Sequence, residues 1–302
     1  MKKFNKFIAV IAFFHMVALP SVASATENGR MIYPFGVNTV LNGIMPRPGS
    51  TQFYSYTQYY SADEFAGPDG NNVIPDFEVD VFVEAPRIMH TWEKPLGPFT
   101  VSSGAILPIV YTSSTIFGMS ESDTDIGDII VQPFNLGYVS ESKTVFSYLA
   151  FDFSLPTGSY SQNSVANTGV NYAAFMPSYN LTWFFKPGWE LSASLVGQFN
   201  QKNDDTNYES GDVAMLDYAI GYSVTPKVQL GLQGFVLNQF SDDKLNGNTV
   251  GDGNRAKVNG IGPQIRYDFS PGSGIAFKYQ KEFGAENTSE GDKFWIQFSM
   301  PI

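Results

Sequence analysis

The stretch Trp189–Asn200 reads WELSASLVGQFN, and its alternation decides the fold. Trp189, Leu191, Ala193, Leu195, Gly197 and Phe199 share one parity. Glu190, Ser192, Ser194, Gln198 and Asn200 share the other, with Val196 the exception. Successive side chains of an extended strand point to opposite faces, so this is a two-faced strand. One apolar and one polar face suit a wall between lipid and water.

The same pattern recurs outward from this strand. Val145, Leu149, Phe151, Phe153 and Leu155 repeat it, as do Phe175, Tyr179, Leu181 and Trp183 against Ser178, Asn180 and Thr182. Ile261, Ile265, Tyr267 and Phe269 face away from Gln264, Arg266 and Asp268, and Phe294, Ile296, Phe298 and Met300 oppose Gln297 and Ser299. Strands are expected at 50–61, 75–94, 98–111, 125–139, 142–155, 172–185, 188–201, 210–224, 227–240, 256–269, 273–284 and 291–301. Their links alternate. Short ones fall at 94–98, 140–141, 186–187, 225–226 and 270–272, and long ones at 62–74, 112–124, 156–171, 202–209, 241–255 and 285–290. Short periplasmic turns, long extracellular loops and an even strand count are the plan of an all-β transmembrane antiparallel β-barrel. About twelve strands are expected, with fourteen as the alternative. Within 75–94 the apolar parity changes near Ala85–Pro86, which predicts a bulge that resets the register, or two strands meeting in a bend. A soluble sandwich or propeller also alternates, but its strands are shorter and no blade repeat is present.

Composition agrees with a wall facing lipid. The 302 residues carry 16% charged and 15% aromatic residues, against about a quarter charged in an ordinary soluble domain. A net charge of −11 argues against nucleic acid, whose phosphates need a basic surface. The absence of cysteine removes disulfides and thiolate chemistry.

The chain divides into three parts. Lys2, Lys3 and Lys6, an apolar run over 7–19 and SVASA at 21–25 predict a cleaved signal peptide over residues 1–25. Its loss takes the net charge from −11 to −14 and sends the protein through a Gram-negative envelope to the outer membrane. Residues 26–49 mix Met31, Ile32, Tyr33, Phe35, Val37, Leu41, Ile44 and Met45 with Gly36, Gly43, Pro34, Pro46 and Pro48. Such a segment is expected either to plug the barrel or to form a flexible leader. Residues 50–302 make the barrel.

The polar parity supplies the candidate lumen lining: Glu78, Asp80, Arg87, Asn180, Glu190, Gln198, Asp217, Gln233, Gln264, Arg266, Asp268 and Lys278. Asp152, Gln229 and Gln280 belong to the same set. His90 is the one histidine beyond the signal, and its place on an apolar parity favours an interfacial role over a hydrolase base. No enzyme, cofactor or metal site is expected. The long loops are rich in Asp and Glu. They are read either as solvated loops or as a rim whose divalent cations bridge lipopolysaccharide. The other expected partners are outer-membrane lipids, the barrel assembly machinery and a small solute.

In order along the chain, YSYTQYYSADEF (54–65), IPDFEVDVFVEAPRIMHTW (74–92), ILPIV (106–110), DIGDIIVQPFNLGY (125–138), LPTGSY (155–160), FNQKNDDTNYESGD (199–212) and GIGPQIRYDF (260–269) resemble the MetA-pathway of phenol degradation family of outer-membrane transporters. The resemblance implies a membrane barrel for uptake of aromatic or other hydrophobic compounds. It transfers no binding motif. Ile302 departs from the terminal aromatic of many barrels, and Phe298 is expected to take its place. The second reading is a structural or surface-binding barrel without transport.

Overall fold

A computed structural model describes Glu27 and residues 31–302; the expected signal peptide lies outside the described residues. The strands are β1 (Thr51–Ala66), β2 (Glu78–Thr91), β3 (Thr100–Ile106), β4 (Ile109–Ile116), β5 (Met119–Ile126), β6 (Ile129–Val139), β7 (Val145–Leu155), β8 (Ala174–Lys186), β9 (Trp189–Asn200), β10 (Tyr208–Glu209), β11 (Val213–Ser223), β12 (Val228–Gln239), β13 (Lys244–Leu245), β14 (Asn248–Thr249), β15 (Lys257–Ser270), β16 (Ser273–Glu286) and β17 (Thr288–Pro301). Among the described residues, β1, β2, β3, β6, β7, β8, β9, β11, β12, β15, β16 and β17 form an antiparallel ring of twelve strands. Pairing of β1 with both β2 and β17 closes it, so no edge is left open. The β4–β5 hairpin extends the same sheet from β2, through Glu84↔Ile109 to Glu78↔Thr115, without closing into the ring, and β10, β13 and β14 form a separate three-stranded sheet. No helix of the described residues is long and apolar enough to cross a membrane.

The faces are inverted relative to a soluble protein. Leu195, Phe199, Ile220, Leu232, Ile265, Phe277, Phe294 and Ile296 are exposed, whereas Gln198, Asp217, Gln233, Gln280 and Glu282 are buried. Aromatic clusters lie on the outside at both ends of the wall, as at the two interfaces of a bilayer. Near the short turns, Trp189 packs on Phe185 and Tyr222, and Phe269 on Tyr267 and Phe298. Near the long loops, Phe153, Phe175, Phe199 and Phe240 follow one another at 5.0 to 6.3 Å between centroids. His90 sits outside beside Trp92, with Thr51 Oγ1 2.9 Å from its Nδ1.

Three local expectations need correction. Residues 112–124, expected as a loop, are the tip of a hairpin in which β4 pairs with β5 through Ile116↔Met119. Phe117 and Gly118 both have positive φ (51° and 74°), the backbone of a tight hairpin turn. The Ser, Thr and Asp of this hairpin do not show the lipid-facing alternation, because it rises beyond the wall. Residues 285–290 are likewise a tight turn, with Asn287 at φ 52° between β16 and β17.

The third correction concerns β2, which has no bulge: its register against β1 runs unbroken from Thr51↔His90 to Ala62↔Val79. What changes along β2 is the lining of the lumen, apolar at Val79, Val81, Val83 and Ala85 and polar at Arg87. Pro86 faces the interruption between β3 and β4 at Leu107–Pro108, where its missing N–H costs little.

Candidate functional site

The interior of the ring is occupied on one side by the chain that precedes β1. Near the long loops, Glu27 is held by Tyr160 Oη and Asn203 Nδ2, which donate to its carboxylate at 2.8 and 2.7 Å. Burial and a hydrogen bond to Glu27 push the Tyr160 phenol up to about 12, so it stays a donor. Residues 31–50 then run through the interior to the short-turn end, where Gly49 N–H donates to Thr91 O at 2.8 Å and Thr91 N–H to Ser50 O at 3.0 Å.

This segment forms no strand; some of its backbone groups bond within it, as Val37 N–H to Pro34 O and Ile44 N–H to Leu41 O, and others turn to the wall. Gln198 Oε1 accepts from Tyr33 N–H. Asp217 takes the N–H groups of Gly36 and Asn38 at 2.7 and 2.9 Å. From the opposite side, Lys278 Nζ donates to the carbonyls of Gly36 and Val37 at 2.8 and 3.0 Å and to Thr39 Oγ1 at 3.0 Å. Gln280 and Gln297 donate to the same two carbonyls. Thr39 Oγ1 donates to Gln264 Oε1, and Asn42 Nδ2 to Ala193 O. Wall carboxylate takes the N–H groups and wall ammonium the C=O groups, so the segment is gripped by its backbone.

Two glycines make the close approach possible. A Cβ on Gly43 would lie 2.3 Å from Thr182 N and 2.4 Å from Phe146 O, both backbone atoms. A Cβ on Gly36 would lie 2.5 Å from the Gln280 amide, and its φ of 86° disfavours any side chain. Phe35 reaches sideways, its ring 3.2 Å from Lys293 Nζ and edge-on to Phe235. Lys293 is itself paired with Glu282 at 2.8 Å, both almost fully buried.

The other side of the interior holds a cavity of about 460 Å³. Its wall is apolar: Val79, Val81, Val83 and Ala85 of β2, with Ile106, Val110, Ile130 and Met176 across from them. Met31, Ile32 and Phe35 of the segment face it, and Val165, Asn167 and Thr168 of the loop after β7 cap it. That loop is tied down at Asp128, whose Oδ1 and Oδ2 accept from Gly158 and Val170 N–H groups at 2.9 Å each. Tyr56, Arg87, Gln132, Tyr148 and Asp152 belong to its polar lining, with Gln58, Asp128 and Lys293.

The sequence-derived lining divides accordingly. Asn180, Glu190, Gln198, Asp217, Gln233, Gln264, Arg266 and Lys278 are buried in the interior. Arg266 pairs with Glu190 at 2.7 Å and with Asp268, which shares its parity toward the short-turn end. Arg87 is buried at the cavity. Glu78 and Asp80 do not line the lumen: they share the outward parity of β2 with exposed Phe82 and Ile88, and Asp80 accepts from the exposed Tyr59 hydroxyl at 2.8 Å. Glu84 also points outward and accepts from Ser55 and Thr57. The valines between these acids face the lumen, which is apolar here. The signal that could have found them is the shared parity of Val79, Val81, Val83 and Arg87.

Among the described residues, no three His, Asp or Glu side chains converge to hold a metal ion. Residues 62–298 match the model of a family described as "Putative MetA-pathway of phenol degradation". The chain is similar in fold to the COG4313 outer membrane channel from Pseudomonas putida F1, with a TM-score of 0.75 at 17% identity over 86% of this chain and 97% of that one. It is also similar to the β domain of the Bordetella autotransporter Brka, with a TM-score of 0.53 at 10% identity over 84% of this chain and 100% of that one. No curated protein matches the chain.

Proposed function

Because the chain belongs to the MetA-pathway of phenol degradation family, we propose that it is an outer-membrane channel for uptake of small hydrophobic or aromatic compounds. The observation that carries this reading is the apolar cavity inside the lumen, beside a segment that fills the other side. A volume of about 460 Å³ falls within the range of small-ligand pockets and holds a molecule of one or two rings. In this reading the long loops face the exterior and the short turns the periplasm. Residues 31–50 act as a plug that narrows the lumen to its apolar side and keeps ions and bulk water from flowing freely. The solute moves down its own gradient, and the valine wall lowers the cost of dehydrating it.

The test is uptake of radiolabelled one-ring aromatic compounds by cells with and without the gene, with complementation. Loss of uptake on deletion and its return on complementation are expected. Uptake unchanged across the series overturns the channel reading in favour of a barrel that serves structure or surface binding.

A further inference from the structure

The surface cations at the two ends of the barrel differ in their company. Toward the long loops, Lys202, Lys244, Arg255, Lys257 and Lys281 each lie 2.7 to 3.8 Å from a carboxylate. At the short-turn end Arg47, Lys94, Lys143, Lys186 and Lys227 are exposed, and among the described residues none of them has a carboxylate within ion-pair distance. The four lysines stand at the β2–β3, β6–β7, β8–β9 and β11–β12 turns, which follow one another round the ring. Glu93 and Glu141 are the acids on these turns, so the arc keeps a surplus of positive charge. The turn between β15 and β16, Pro271–Gly272, is uncharged. Beside the arc the outer face is aromatic. Trp183, Phe185, Trp189 and Tyr222 follow one another at 5.1 to 6.1 Å between centroids, and Trp183, Trp189 and Tyr222 are exposed.

We infer that this arc is a docking surface for anionic phospholipids in the leaflet that surrounds the short turns. The inference goes beyond the channel reading and does not depend on solute transport. Tryptophan and tyrosine settle at headgroup level, where an apolar ring meets a polar boundary. Lysines just beyond them extend their ammonium groups to the level of the phosphates. Phosphatidylglycerol brings a net negative charge there, whereas the choline of phosphatidylcholine cancels its own phosphate. Unpaired ammonium groups therefore discriminate between the two by charge. Toward the long loops the neighbouring carboxylates cancel the cations, and that end has no such preference. A soluble acidic partner would match the lysines and leave the aromatic cluster uncovered; a lipid matches both. A Lys near an anionic surface contributes roughly 1 kcal/mol, which corresponds to about a fivefold preference.

The test uses the purified full barrel in vesicles and reads tryptophan quenching by lipids with brominated acyl chains. Trp92, Trp183 and Trp189 are exposed near the arc, whereas Trp295 is buried in the interior, so the signal reports the lipid beside the short turns. Brominated phosphatidylglycerol in a phosphatidylcholine background is expected to occupy this shell about fivefold more than its share of the mixture. The variant carries Lys94→Gln, Lys186→Gln, Lys227→Gln and Lys143→Asn, the last because Lys143 has a φ of 54°, which asparagine tolerates. In it the preference should fall to about twofold or less. Lys202→Gln with Lys257→Gln, at the opposite end, should leave the preference unchanged. Heat-dependent migration on gels shows which variants have folded, and Lys186→Gln with Lys227→Gln suffices where the full set does not fold. Equal occupancy by the two lipids in the wild type overturns the inference, as does a preference that persists in the folded variant. Binding to purified peptidoglycan that needs the same lysines, without any lipid preference, overturns it in favour of a cell-wall contact.

Discussion

On the β8–β16 side of the lumen the wall turns Asn180, Gln198, Asp217, Gln264 and Lys278 inward and grips residues 33–43 by their backbone. On the β2–β7 side it turns Val79, Val81, Val83, Val110 and Ile130 inward and leaves a cavity. The outer surface differs in the same sense. Around β11 and β15 it is apolar, whereas on β2 it carries Glu78, Asp80 and Glu84. Period two is kept throughout; what each parity faces is not. Alternation reports that a strand has two faces, and only the content of the lumen says which is which.

Removing what fills the gripped side should break the contrast most completely. Deletion of residues 31–45 leaves the polar wall lining an open lumen, and single-channel conductance in planar bilayers is expected to rise several-fold. No change in conductance would mean that the segment does not limit the pore.

A smaller disturbance is a side chain at Gly43. Its Cβ would press on Thr182 N and Phe146 O, which belong to the wall and cannot give way. Gly43→Val is expected to force the segment off the wall at a cost of about 1–3 kcal/mol, the usual penalty of overpacking. The temperature of the folded-to-unfolded gel shift should fall, and conductance should become noisy. Lys278→Met keeps the size of the side chain but removes the donor to Gly36 and Val37. Gln280 and Gln297 still donate to those carbonyls, so losing the ammonium should cost about 1 kcal/mol by the same readout. Since Asp217 and Lys278 grip one loop of chain, Asp217→Asn combined with Lys278→Met should cost less than the two singles added together.

The outer surface offers a test of opposite sign. Glu84 faces away from the lumen, paired with Ile109 of β4 on one side and Thr57 of β1 on the other, and Thr57 is in turn paired with Ile296. Replacement by Leu should stabilise the barrel in lipid by roughly 1 kcal/mol, as charges on a lipid-facing surface are unfavourable. Urea titration in phospholipid vesicles measures it, and destabilisation would show that the Ser55 and Thr57 hydrogen bonds matter more. The smallest effect concerns the Tyr160–Glu27 contact. With its pKa raised to about 12, Tyr160 holds Glu27 fully below its ordinary value near 10. The contact is then lost as the pH rises through 12. Protease sensitivity near Glu27 should therefore stay flat up to pH 10 and increase above it, and the Tyr160→Phe variant should show no such rise.

The same comparison explains what was legible in the sequence. Twelve strands were readable, because lipid on one side and polar contacts on the other print a strict alternation on β8, β9 and β15. The interior positions of Asn180, Glu190, Gln198, Asp217 and Lys278 follow from that rule. Glu78 and Asp80 were misplaced because the rule assumes a polar lumen, and beside the cavity the lumen is apolar. The β4–β5 hairpin was hidden for a related reason: above the membrane neither face needs to be apolar, so TSSTIFGMSESDTDI reads as loop. The grip on residues 36–39 left no sequence signal beyond Gly36 and Gly43, since backbone atoms do the bonding.

The central claim is that the apolar side of the lumen is the path of a hydrophobic solute. Val81→Asp places a charge in the valine wall without touching the gripped segment. Uptake of a labelled one-ring aromatic compound by cells carrying this variant, set beside its single-channel conductance, tests the claim most directly. The expected result is loss of most of the uptake with ionic conductance unchanged or raised. Uptake equal to that of the wild type, at equal amounts of folded barrel, would contradict it.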